Sequence, residues 1–255
     1  QVVQSLQLMA PDARIQAVSS ISGAICNSGH STLVLLGVSD PRGRIGLGYA
    51  EGASLSKDNA LQAGRDAAKR AVQDARRADL PDVVIVNGTP GHEEQVLAGI
   101  AEVVQGVPII GGSAAGDISS CAWWVASAHK ERVEFSNDGV SVCMLWTSVE
   151  IATVFSSCYE PSMHSGTVTK KGDREIVEID GQPASAVYRD WIKAEAGGSA
   201  GDDSVNGQQP SAFRQKVELL RNLMQEDAAS IGEQLFSLST CRPLGTQGQP
   251  LKEGE

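Results

Sequence analysis

Apolar positions along the chain recur with two periods, and each period predicts a kind of element. Leu33 to Val38 (LVLLGV) is a short apolar run bounded by polar and turn residues, as a strand requires. Ile45 to Tyr49 (IGLGY) follows the turn-like DPRG, and the two runs together predict a hairpin. Over Lys57 to Arg77 the apolar positions Leu61, Ala68, Ala71, Val72 and Ala75 fall on one stripe at helical spacing. The small size of those residues implies close packing of this helix against a sheet. Val83 to Val86 (VVIV) reads as a strand buried on both faces. A second helix opens near His92, with Glu93 and Glu94 at the positive end of its dipole. It turns Val96, Leu97, Ile100, Val103 and Val104 inward and ends at Gly106. The strand beginning VPII follows. Strand, helix and strand joined by short connections form a βαβ unit, for which parallel pairing is expected.

A weak internal repeat extends this picture. RIQAVSSISGAI (Arg14 to Ile25) aligns with VPIIGGSAAGDI (Val107 to Ile118), placing Ser20 and Gly23 opposite Ser113 and Gly116. An apolar strand follows each segment, LVLLGV from Leu33 and VSVCMLW from Val140. The expected fold is α/β, with two related halves of largely parallel pairing, the first half incomplete. From Gly166 the texture changes to a hairpin turning at Gly172-Asp173. An Asp180-Gly181 turn then leads to a helix opened by Pro183, with Ala184, Val187, Tyr188, Trp191 and Ile192 on its apolar face. Asp180 is expected to cap that helix. Ala196 to Ser211 reads as a Gly-rich flexible loop, and a last helix carries Phe213, Val217, Leu220 and Met224 inward. The domain division is thus residues 1–155, followed by a smaller hairpin-plus-helix αβ module in 156–255.

Charge and composition narrow the function classes. With 21 basic and 31 acidic residues the net charge is −10, and no local run of Lys and Arg offsets it. Nucleic acid is bound largely through phosphate neutralisation, so it is not an expected partner. No stretch approaches the roughly 18 apolar residues of a membrane span. The five cysteines are scattered, with no CxxC pair, which argues against a zinc site or a disulfide framework. The expectation is an intracellular protein, cytoplasmic or, given an N-terminus that reads as processed or excerpted, organellar (for example plastid). The four histidines, at 30, 92, 129 and 164, lie in turn, polar or helix-start contexts, so neither haem nor another cofactor is expected.

The run VPIIGGSAAGD, Val107 to Asp117, is the sharpest chemical feature. A strand passes abruptly into residues with almost no side chains, which lets something approach the backbone. A nucleophile elbow at Ser113 requires a helix directly after the serine and a downstream acid–histidine pair; the following GDISSCAWWVAS shows no helical stripe, so a serine hydrolase is the weakest reading. A phosphate loop lacks its lysine. Two readings stay open. Peptide N–H groups of the loop can face a carboxylate while Asp117 takes an ammonium group, or the glycines let two parts of the fold pack backbone to backbone. Under the first, the ligand-binding residues are Gly111, Gly112, Ser113, Ala114, Gly116 and Asp117, with Ser20 and Ser22 from the aligned segment.

Two motifs in order, VPIIGGSAAGD and GTVTKKGDREIVEIDGQPASAVY (Gly166 to Tyr188), resemble those of FIST domains, the sensory modules of F-box and intracellular signal transduction proteins. The resemblance covers most of Ala10 to Trp191, with the start of the N-terminal part and most of the C-terminal part lacking. It implies a non-enzymatic sensor of amino acids or similar small ligands that acts through protein–protein contacts, and some relatives are described as haem-based nitric-oxide sensors. A structural or accessory subunit of a larger assembly, retaining the fold without the ligand, is the alternative.

Overall fold

The computed structural model describes residues 2–20, 24–26, 29–31, 33–116, 122–154, 162–172 and 175–198. The chain divides into two compact units, residues 1–154 and 155–255.

The first unit opens with helix α1 (Val2–Met9), strand β1 (Ile15–Val18) and a small antiparallel pair, β2 (Ala24–Cys26) and β3 (Gly29–Ser31). Its main sheet is built from β4 (Arg44–Glu51), β5 (Val83–Gly88), β6 (Ile109–Ser113) and β9 (Gly139–Trp146). Helices α2 (Lys57–Ala75) and α3 (Glu93–Ala101) connect β4 to β5 and β5 to β6. A second sheet joins β1 to β7 (Val125–His129) and β8 (Arg132–Ser136) in the order β1-β7-β8.

The expected βαβ unit is present, and β5 and β6 pair in parallel. Parallel pairing is confined to that unit; every other described pairing is antiparallel. The reason is the strand order β4-β9-β5-β6. Strands β4 and β5 run the same way, but β9 enters between them from the β8 hairpin and bonds antiparallel to both. The aligned segments of the sequence repeat lie in different sheets, β1 in the second and β6 in the main one.

Helix α2 reads as its sequence demands. Ser56 caps its start by accepting from the Asn59 amide, and Arg76 closes it in a left-handed conformation. Ala60, Ala63, Ala67, Ala68, Ala71 and Ala75 are all buried along one stripe. They face two strand glycines whose absent side chains set the spacing: a Cβ on Gly46 would run into the Ala71 carbonyl oxygen, and one on Gly48 into that of Ala67. Val84, Val86, Val140, Val142, Met144 and Trp146 complete this core together with Val96, Ile100 and Val104 of the α3 region. The opposite face of the sheet packs on the second sheet through Tyr49, Ala114 and Val125, with Trp123 alongside. Gln16 of β1 lays its carboxamide on that face, donating to the carbonyls of Ser141 (2.8 Å) and Ile85 (3.3 Å).

Leu33–Val38 is not a strand. The run is irregular and its apolar side chains are exposed, Leu36 at 89%. The turn at Asp40 does form, with the Gly43 amide bonded to the Asp40 carbonyl and carboxylate, but the outer edge of β4 is already occupied. From α2, Asp74 accepts the Leu47 amide (2.9 Å) and Arg70 donates to the Tyr49 carbonyl (2.5 Å). These two side chains, one helical turn apart, take the groups that a hairpin partner would have used.

In the second unit, β10 (Val168–Lys171), β11 (Ile176–Ile179) and β12 (Gln182–Pro183) form an antiparallel sheet followed by α4 (Ala184–Gly198). This is the expected hairpin-plus-helix module. Asp180 does not cap α4. It adopts φ +50° beside Gly181 at +76°, the tight turn joining β11 to β12, and its carboxylate accepts the Thr167 amide (2.9 Å). Asp-Gly is a hairpin-turn pair, and that local preference prevails over capping. Helix α4 extends to Gly198, into the start of the expected loop; the rest of the loop and the Phe213 to Met224 helix lie outside the described residues.

Candidate functional site

The small-residue run begins inside a strand. Gly111, Gly112 and Ser113 belong to β6, the edge of the main sheet, and only from Ala114 does the chain leave it. It then crosses toward the second sheet, tied to both. The Ala114 amide donates to the Gly88 carbonyl (2.7 Å) and the Ala115 amide to the Ser19 carbonyl (3.0 Å). The two segments aligned in sequence therefore meet, at Ser19 and Ala115. Asp117 and Ser22 lie outside the described residues.

The residues of the run have separate roles. Gly111 takes φ +139°, and a Cβ there would strike the Val86 carbonyl oxygen. A Cβ at Gly116 would strike the carbonyl oxygen of Ala122. Ala114 is buried between the sheets. Gly112 differs: a Cβ there would meet nothing within 4 Å, and its backbone needs no left-handed conformation. Beside it the Ser113 hydroxyl donates to Glu93 Oε1 (3.0 Å), which also accepts the Gly91 amide (3.3 Å). Ser113 ends a strand and the next three residues are not helical, so the strand–turn–helix of a nucleophile elbow is not formed.

These groups gather where the parallel strands β5 and β6 end and α3 begins, the position at which open α/β sheets present ligand sites. Across the sheet at this level runs one register row, Tyr49–Ser141–Asn87–Gly112, with its side chains on the face turned away from α2 and α3. Ser141 is fully buried and its hydroxyl has no partner among the described residues; the same holds for Nδ1 of His92, one residue before Glu93. Buried polar atoms are ordinarily bonded, so these two stand out at this end of the sheet, Ser141 two strands from Gly112 in the row. The Tyr49 hydroxyl turns the other way, toward Gly139. Burial pushes its pKa up to about 12; Ser136 is close enough to oppose this, yet no well-formed hydrogen bond joins the two.

A second polar cluster, which the sequence does not announce, binds the two sheets together. Asp74 takes Arg14 Nε (2.6 Å) and the Leu47 amide on one carboxylate oxygen, and lies 3.2 Å from His129 Nδ1 on the other. Burial would raise the Asp74 pKa, but the hydrogen bonds from Arg14 and Leu47 outweigh it and hold the carboxyl below its ordinary value. Burial and the charge of Arg14 push the His129 pKa down, against the attraction of Asp74. Neighbouring Cys143 is pushed up to about 11 by burial, which leaves it an unreactive thiol. Among the described residues no group of three His, Cys, Asp or Glu side chains is arranged to hold a metal.

The FIST N domain family model matches residues 1–182. This chain belongs to the FIST family. FIST is a sensory, non-catalytic domain family, which sets the chain among signal-transduction modules. No curated protein matches the chain. Within the described part of this FIST protein no helix is long and apolar enough to cross a membrane.

Proposed function

We propose that this FIST chain is a non-enzymatic sensory module that binds a small amino-acid-like ligand over Gly112 and signals through contacts with another protein inside the cell. The observation that carries this reading is the contrast among the glycines. Gly111 and Gly116 are required by packing, whereas Gly112 opens on free space on the sheet face that it shares with Asn87. At the end of the same strand, on its α3 side, Ser113 and Glu93 are bonded to each other, and a ligand reaching round the strand end can offer a carboxylate to the hydroxyl and an ammonium group to Glu93. The exposed apolar run at Leu33–Val38 supports a protein contact elsewhere on the same unit.

The test is a melting-shift screen of the purified protein against a panel of amino acids, run beside Gly112→Val. A ligand at 100 times its dissociation constant adds about 2.7 kcal/mol of stability. The expected result is a hit on the native protein, and a Gly112→Val variant that melts normally but does not respond. A panel that shifts nothing would favour the second reading, a structural or accessory subunit that keeps the fold without a ligand. The packing roles of Gly111, Ala114 and Gly116 are what favour that alternative.

A further inference from the structure

At the end of the main sheet opposite the Gly112 site, the start of β4, the end of β9 and the segment between α2 and β5 border an open cleft of about 310 Å³. Its lining is polar and carries three arginines, Arg42, Arg44 and Arg77, against two acids, Asp79 and Asp82. Both acids are already engaged. Arg77 forms an ion pair with Asp79, its Nε 2.7 Å from Oδ1, and Asp82 accepts from the amide (2.6 Å) and hydroxyl (3.2 Å) of Thr147. The floor is fixed by the Trp146 indole N–H, bonded to the Asp79 carbonyl (3.0 Å). The guanidinium groups of Arg42 and Arg44 have no hydrogen bond or ion pair with any described residue. Both side chains are exposed, and they bring positive charge to one cleft of a chain whose net charge is −10.

We propose that this cleft is a binding site for a phosphate monoester, gripped by Arg42 and Arg44. A guanidinium presents a planar fork of donors that matches an oxyanion edge. One fork matches the single oxygen pair of a carboxylate, whereas the three terminal oxygens of a phosphoryl group present more than one such edge and can engage two forks at once. The volume is in the range of small-ligand sites, roughly 300–1,000 Å³. Oδ1 of Asp82, unlike its Oδ2 and both oxygens of Asp79, takes no hydrogen bond from a described residue and supplies an acceptor for a hydroxyl group on the rest of the molecule. The carbonyl end of α2 nearby opposes an anion, but that field fades within a turn and Arg77 stands against it.

The experiment titrates the full chain with inorganic phosphate and, separately, ribose 5-phosphate, by calorimetry at ionic strength held constant with sodium chloride. Saturable binding of ribose 5-phosphate, at least tenfold tighter than of inorganic phosphate, is expected. Arg42→Gln/Arg44→Gln should weaken it by tenfold or more with an unchanged melting temperature, and Arg44→Lys, which keeps the charge but loses the fork, should fall between. Gly112→Val should bind it as the native chain does, so this site and the amino-acid site succeed or fail separately. Absence of saturation by either probe in the native chain, or equal binding by the native and double-variant chains, would overturn the proposal. Inorganic phosphate binding as tightly as the sugar phosphate would replace the monoester by free phosphate.

Discussion

Asp74 has three partners at once: the Arg14 guanidinium, the Leu47 amide and His129. Its side chain is 23% exposed, so losing the charge leaves Arg14 half-buried without its counter-ion. Asp74→Asn is expected to cost about 1.5–3 kcal/mol, the range for hydrogen bonds to charged groups, as measured by urea denaturation. The same cluster sets a pH dependence. His129 is depressed below its ordinary 6.5, so on acidification the unfolded chain takes up this proton before the folded one does. Stability contributed here is complete above about pH 6.5 and declines below it. Asp74, also depressed, loses its contribution only as pH falls below its ordinary 3.8 and through its folded value. A His129→Gln variant should therefore show a flatter stability profile than the native chain between about pH 6.5 and 5. An unchanged slope across that interval would assign the acid sensitivity elsewhere.

Where helix α2 packs on strand β4 the closest approach is between glycine and alanine positions, and the separation there is fixed by backbone atoms. Gly48→Ala would press a methyl group on the Ala67 carbonyl oxygen, with the Ala71 amide 2.6 Å away. Neither neighbour is a side chain able to swing aside, so the cost should reach or exceed the roughly 1–3 kcal/mol typical of overpacking. Gly112→Ala, built into open space, should stay within about 0.5 kcal/mol. Comparing the two denaturation midpoints checks the assignment of packing to one glycine and openness to the other. The helices α2 and α3, the strands β4, β5, β6 and β9, and the β10–β11 hairpin were legible because each has a period or a turn signal of its own. LVLLGV was not, since its β-forming composition says nothing of Arg70 and Asp74, which claim the strand edge it would need. Nor does DGQP reveal by composition that Asp180 serves the turn before the helix and not the helix itself.

At the scale of the molecule, both hydrophobic clusters found among the described residues lie within residues 1–154. A chain ending after Val154 is accordingly expected to unfold in one cooperative transition by circular dichroism; a broad, non-cooperative melt would mean that the first unit depends on residues beyond it. The candidate ligand site was legible only in part. The small-residue run points to a place where backbone is bare, but glycine required by φ, glycine required by packing and glycine facing open space look identical in a sequence. Glu93 comes to the end of that run from α3, and no local pattern ties it there.

The antiparallel entry of β9 between β4 and β5 also dictates an order of events during synthesis. When β4, α2 and β5 have left the ribosome, the slot between the two strands is still empty, because its occupant ends only at Trp146. The nascent protein must hold two unpaired strand edges apart through dozens of further residues before the centre of the sheet arrives. Pairings across such separations close slowly, and open edges are where growing chains stick to one another. An interruption of translation between Gly88 and Gly139 would thus release the form of this protein most in need of a chaperone.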